Sequence, residues 1–127
     1  MLLGKIIKNI NPAYKSIKFN NIRFNSKNCK PNDIFFAIKG NNSNGNYFIK
    51  KAIRNGSKII ISNLNFEGFN KEKILFIKSK NPRKTLAEAA SNFYIKKPKN
   101  IIAITGTNGK TSIANFFYQI LSLNKKK

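Results

Sequence analysis

Histidine is absent from this chain of 127 residues, cysteine occurs once, and only four residues are acidic. Each shortage removes a class of chemistry. Without histidine the chain holds neither a Ser-His-Asp relay nor a Cys/His zinc site. The single cysteine, Cys29, rules out an internal disulfide. Glycine (7) and proline (4) are sparse, no low-complexity tract exceeds a few residues, and no internal repeat is present. The opening stretch MLLGKIIKNINP carries Lys5 and Lys8 inside its apolar run and lacks a small-residue cleavage site. It is neither a convincing signal peptide nor a membrane span. The expected location is the cytoplasm, with no membrane partner.

What the chain has in excess is lysine, which gives a net charge of +21. Dense basic surfaces bind phosphate backbones by releasing counterions. Here, however, the only arginines are Arg23, Arg54 and Arg83, whereas base and phosphate recognition favours the arginine fork. The lysines are also scattered along the whole length among Asn, Ile and Phe, as codon drift in an AT-rich genome would leave them. The charge therefore reads as a solvated surface, without a nucleic-acid partner. A small basic module for nucleic acid or an anionic surface stays as the competing reading. An apolar fraction of 41% supports a packed core.

Periodicity outlines the elements. Leu2, Leu3, Ile6, Ile7 and Ile10 predict a short amphipathic helix over 2–10, stopped by Pro12. SIKFNNIRFNS alternates at Ile17, Phe19, Ile22 and Phe24, suggesting strands with one wet face. KPND is a turn in which Asp33 bonds nearby backbone. IFFAI (34–38) is a buried strand, and KGNNSNGN a loop. YFIKKAIRNG is a helix with Gly56 at its left-handed C-terminal cap. SKIIISN is a strand, FEGFNKE a loop and KILFIKS a strand. NPRKTLAEAASNFY is a helix with Asn81 as N-cap and Pro82 at its first position, and Leu86, Ala89, Ala90 and Phe93 on one face. This order describes a small mixed-sheet α/β domain over residues 1–97. KKPKN is a hinge, and a new unit starts beyond it: strand 101–105, loop 106–109, helix 110–123.

TGTNGKTS in that unit carries the chemistry. Gly106 and Gly109 let backbone amides converge on an anion, and the following helix adds its positive end. Lys110 can reach β- and γ-phosphates, and the Thr111 hydroxyl can ligate Mg²⁺. The spacing departs from the usual G-x-x-x-x-G-K-[ST], because Ile104 stands where the first glycine belongs. An ordinary glycine turn in a βα unit is the bland alternative.

The short form TGTNGKT resembles the phosphate loop of the Mur ligases, ATP-dependent amide-forming enzymes of peptidoglycan precursor synthesis. Folylpolyglutamate synthases and cyanophycin synthetases share that loop. Upstream, FNSKNCKPNDIFFAIKGNNSNGNYFIKKAIRNGSKIII is similar to the N-terminal domain of the member that adds the third amino acid, where the pattern is DSR, PGDLFFA, a glycine, DG, FI, A and GA. The likeness spans residues 22–121, through FY, the proline linker and the loop. The member that adds the terminal dipeptide shares the first block and is the alternative.

The resemblance implies ATP held by Gly106, Thr107, Asn108, Gly109, Lys110, Thr111 and Ser112, with Lys110 catalytic and Thr111 on Mg²⁺. It implies that Phe24, Ser26, Asn41, Asn42 and Ser43 hold the uridine end of UDP-N-acetylmuramoyl-L-alanyl-D-glutamate. The substrate's carboxylate would be activated as an acyl phosphate and captured by the amine of meso-diaminopimelate or L-lysine, on a monomeric enzyme. The family's DSR is here Asn25-Ser26-Lys27 and its DG is Asn44-Gly45. Asparagine keeps a capping oxygen and loses charge, and Lys27 cannot reproduce an arginine fork.

Such an enzyme needs more than this chain holds. Asp33, Glu67, Glu72 and Glu88 all precede the loop, and IIAI has no later strands to flank it. Residues 98–127 are therefore expected to be the first strand, phosphate loop and helix of a truncated P-loop ATPase domain. The chain reads as an N-terminal fragment without ligase turnover of its own.

Overall fold

Three short runs of β-branched and aromatic residues, Ile34–Phe36, Ile59–Ser62 and Leu75–Lys78, align side by side because each is apolar on both faces. The computed structural model containing them describes residues 1–96 and 98–124. The chain divides into two units, Met1–Ile95 and Lys96–Lys127.

In the first unit the strands are β1 (Ile22–Arg23), β2 (Ile34–Phe36), β3 (Ile59–Ser62), β4 (Gly68–Phe69) and β5 (Leu75–Lys78). They form a five-stranded sheet in the order β1-β2-β3-β5-β4. β1, β2, β3 and β5 run parallel, and β4 pairs antiparallel with β5 at one edge. Register places Ile34 beside Ile59 and Ile59 beside Leu75. Alternation then sends Ile34, Phe36, Ile59, Ile61, Leu75 and Ile77 to one face. That face packs on helices α1 (Leu3–Ile6) and α3 (Pro82–Phe93), which contribute Leu3, Ile6 and Ala89, with Leu86 and Phe93 at the margin. Phe35, Ile60 and Ile74 serve the other face, under Ile49 and Ala52 of α2 (Ile49–Arg54) and Cys29.

The helices follow local chemistry. Asn81 Oδ1 accepts the Lys84 amide at 3.0 Å, with Pro82 opening α3 as expected. Past the end of α2, Gly56 takes φ +102° and its amide bonds the Ile53 carbonyl at 2.9 Å. This is the left-handed cap that the sequence predicts.

Three expectations for the first unit need correction. The first helix spans only Leu3–Ile6, because Leu2 is drawn into an antiparallel bridge with Lys18 and the backbone is extended at Ile7. Ile7 and Ile10 are nevertheless buried. The alternating stretch from Ile17 to Phe24 yields that single bridge and the two-residue β1. Asn20 and Asn21 interrupt it: the Asn21 side chain accepts the Ile22 amide, and the Asn20 amide bonds the Asn32 carbonyl. The stretch read as a loop, FEGFNKE, contains β4. Asn70 closes the turn after it, its Oδ1 accepting from Glu72 N and Ile74 N while its own amide bonds the Ile74 carbonyl.

In the second unit, α4 (Lys110–Leu123) forms where the sequence places a helix. Residues 101–105 do not form the expected strand. Ile101 and Ile102 are 74% and 56% exposed, and among the described residues no neighbour supplies a ladder. A strand exists only through a partner's hydrogen bonds, and apolar composition cannot replace them. Among the described residues no helix is long and apolar enough to cross a membrane.

Candidate functional site

The loop before α4 is bent by Gly106 and Gly109, at φ +150° and +75°. Nothing lies within 4 Å of where a Cβ on Gly109 would stand, so it is the left-handed dihedral that asks for glycine there. The first hydrogen bond closing the helix runs from Ile113 N to the Gly109 carbonyl at 3.0 Å. The amides of Lys110, Thr111 and Ser112 precede it and have no helical acceptor. No side chain caps this end, in contrast to Asn81 on α3. Lys110 folds its ammonium back onto the carbonyl oxygens of Gly106 and Thr107, the latter at 3.0 Å. Thr107, Asn108, Thr111 and Ser112 are exposed around it. The arrangement is a cation beside an uncapped, positively polarised helix end, chemistry that suits a polyanion.

The other predicted residues lie in the first unit, in two loops that leave the C-terminal ends of neighbouring parallel strands β1 and β2. Phe24 follows β1 and is 70% exposed, while Ser26 is only 5% exposed, at the start of a 3₁₀ turn over Ser26–Asn28. Asn25 Oδ1 caps that turn by accepting the Lys27 amide at 3.0 Å. Asn41, Asn42 and Ser43 are exposed at the tip of the second loop. Its neck is pinned by a Lys39–Asn44 bridge and by Gly45 N to the Ile38 carbonyl at 2.9 Å. Asn44 Oδ1 accepts the Asn46 amide at 3.0 Å. Asn25 and Asn44 thus both do capping for which an uncharged oxygen suffices.

Gly45 is glycine for want of space. A Cβ there would sit 2.4 Å from Ile38 N and 2.6 Å from the Ala37 carbonyl carbon, both backbone atoms.

Several contacts that shape these loops are not readable from local sequence. Arg83 of α3 donates to the Lys39 carbonyl at 3.1 Å across 44 residues. Asn46 Nδ2 donates to Asn63 Oδ1 at 2.8 Å, past the end of β3. Asn55 Nδ2 donates to the Ser26 carbonyl at 2.8 Å. Asp33 bonds nearby backbone as its turn predicts, Oδ2 accepting the Lys30 amide at 3.1 Å, and the same oxygen also accepts Arg23 Nε at 3.1 Å. That pair depends on β1 lying beside β2, so no local sequence signal announces it. Burial pushes the thiol of Cys29 up from its ordinary value.

A separate open groove of about 990 Å³ runs between the end of β5 and α1 and α3, lined by Lys8, Lys78, Lys80, Lys84 and Glu88 among others. None of the predicted site residues lines it. Among the described residues there is no cluster of three His, Cys, Asp or Glu side chains able to hold a metal.

Residues 18–94 match the family described as "Mur ligase family, catalytic domain". A UDP-N-acetylmuramoyl-L-alanyl-D-glutamate–2,6-diaminopimelate ligase of Clostridium tetani is 46% identical over 124 residues, covering 94% of this chain and 25% of that protein. The protein of the same name from Rickettsia prowazekii is 41% identical over 119 residues, covering 94% and 24%. Among solved structures, the MurF ligase of Thermotoga maritima in complex with ADP superposes with TM-score 0.61 at 28% identity, covering 81% of this chain and 23% of that one. MurF of Acinetobacter baumannii, at 22% identity and TM-score 0.64, shares the fold over 91% of this chain and 24% of its own. The chain spans about a quarter of the length of the curated relatives it matches. Its sheet, its two β-strand-end loops and its family match together make the chain a member of the Mur ligase family.

Proposed function

We propose that this chain supplies the nucleotide-sugar-binding domain, residues 1–97, and the start of the ATP-binding domain, residues 98–127, of an ATP-dependent ligase. That ligase joins 2,6-diaminopimelate to UDP-N-acetylmuramoyl-L-alanyl-D-glutamate in the cytoplasm, acting as a monomer. The observation that carries the reading is the match of 94% of the chain, at 41% and 46% identity, to proteins named for that reaction. L-lysine is the other amino acid the same chemistry would accept.

Phe24 offers an exposed apolar face to a uracil ring, and Asn41, Asn42 and Ser43 offer donors and acceptors for its polar edges. Ser26, nearly enclosed, opens the 3₁₀ turn in the loop that follows β1. In the second unit, the amides at the start of α4 receive the phosphates, and Lys110 exchanges its two carbonyl partners for phosphate oxygens. Catalysis by these residues is positioning and charge neutralisation while the substrate's D-glutamyl carboxylate takes the γ-phosphoryl group. The amine of the incoming amino acid then displaces phosphate to form the amide. Thr111 contributes one hydroxyl at the helix start. This fits Mg²⁺, which draws most of its oxygens from nucleotide phosphates and water. When bound, the ion would neutralise phosphate charge.

Thermal unfolding with added UDP, and separately with ATP–Mg²⁺, tests the reading. A ligand at a hundred times its Kd stabilises the state that binds it by about 2.7 kcal/mol. Both ligands are expected to raise the melting temperature. Retention on heparin with no response to either would favour the basic-module reading instead.

A further inference from the structure

The carboxylate of Asp33 stands at the neck of the loop that carries Phe24 and Ser26. Asp33 is 1% exposed, and its Oδ2 accepts from Arg23 Nε, just before the loop, and from Lys30 N, just after it. One buried oxygen thus joins both ends of residues 24–29. The loop is propped from its other side by Asn55 Nδ2 on the Ser26 carbonyl, 29 residues away. Inside it, four local bonds hold the 3₁₀ turn: Lys27 N to Asn25 Oδ1 (3.0 Å), Asn28 N to the Asn25 carbonyl (3.1 Å), Cys29 N to the Ser26 carbonyl (3.4 Å) and Cys29 Sγ to the Asn25 carbonyl (3.7 Å). A single 3₁₀ turn of this kind is marginal unless its ends are fixed.

We infer that Arg23 and Asp33 are positioning residues, a latch that holds the 24–29 loop in its ligand-ready shape before any ligand arrives. The inference rests on the proposed reading of Phe24 and Ser26 as contacts of the uridine end. Arg23 reaches the carboxylate from β1, through the register that sets Arg23 beside Phe35. Preorganisation of this kind raises affinity by removing the ordering cost from the binding step.

The test uses the full chain with Arg23→Gln, Arg23→Lys, and the double variant Arg23→Gln/Asp33→Asn, which removes both charges together and strands neither. Amide hydrogen exchange is read first, without ligand. Exchange at Lys27 and Asn28 is expected to quicken about tenfold in Arg23→Gln and in the double variant, and to recover in Arg23→Lys, while the β3 amides keep their protection. UDP affinity, read by calorimetry, should fall about tenfold in the same two variants, with the response to ATP–Mg²⁺ unchanged. Unaltered exchange at Lys27 and Asn28 would overturn the latch. Quickened exchange beside a wild-type chain that ignores UDP would uphold the latch and overturn the uridine reading.

Discussion

Asn92 of α3 donates its side-chain amide to the Ile6 carbonyl at the end of α1, 3.1 Å away and 86 residues back along the chain. A four-residue helix cannot satisfy its own last carbonyls, so a side chain from the neighbouring helix does it. Asn92→Ala should lower stability by about 1 kcal/mol. Asn92→Asp should cost more at neutral pH, since an ionised carboxylate has no proton to give. Urea unfolding followed by circular dichroism checks both; equal midpoints for wild type and Asn92→Ala would refute the contact's importance.

Gly45 and Gly40 flank the same loop and should answer differently to alanine. At Gly45 the new methyl meets main-chain atoms of Ala37 and Ile38 that cannot swing aside, whereas at Gly40 it meets only the Ser43 carbonyl, at 3.4 Å. Gly45→Ala is expected to cost about 3 kcal/mol, the upper end for overpacking. Gly40→Ala should stay within about 0.5 kcal/mol of wild type. Comparable losses at both positions would contradict the geometry.

Lys110 is exposed and bonds only its own loop, so its removal should leave the first unit's unfolding untouched. Lys110→Ala is expected to weaken the thermal response to ATP–Mg²⁺ by about ten- to a hundredfold in affinity, the worth of a charge-assisted contact. The response to UDP should survive. Arginine at 110 is not expected to restore nucleotide binding, because its planar fork does not reproduce a compact ammonium. A retained ATP response in Lys110→Ala would remove the residue from the phosphate site.

Cys29 makes stability fall in alkali. Burial, with the Asp33 carboxylate nearby, pushes its thiol above the ordinary 9.0. The unfolded chain therefore releases that proton at lower pH than the folded chain. The stabilisation is whole below the unfolded value and is lost as pH rises toward the folded one, at up to about 1.4 kcal/mol per pH unit between them. Urea midpoints measured from neutral pH upward should decline less steeply in Cys29→Ala than in wild type. Parallel slopes would show that the thiol stays unlinked to folding.

Elements governed by neighbours in sequence were legible from letters alone. Asn81-Pro82 opens α3, Gly56 closes α2, and α4 begins at Lys110. What was hidden depends on distant chain. Residues 101–105 have a strand's composition but no ladder among the described residues, and β4 exists because Asn70 folds its segment back on β5. At the candidate sites, the residue types of TGTNGKTS announced the glycine bend. Ser26 gave no sign of its burial, and the Arg23–Asp33 pair needed the alignment of β1 with β2 before it could be seen.

The bare apolar flank of α4 has a practical corollary for anyone handling this polypeptide. Ile113, Phe116, Ile120 and Leu123 all face water. A net charge of +21 keeps molecules apart only while the solution is dilute in electrolyte. At about 0.15 M salt the repulsion reaches only ~8 Å, and oily helices on separate molecules then meet unopposed. Clear in weak buffer and cloudy in brine is the behaviour this surface dictates.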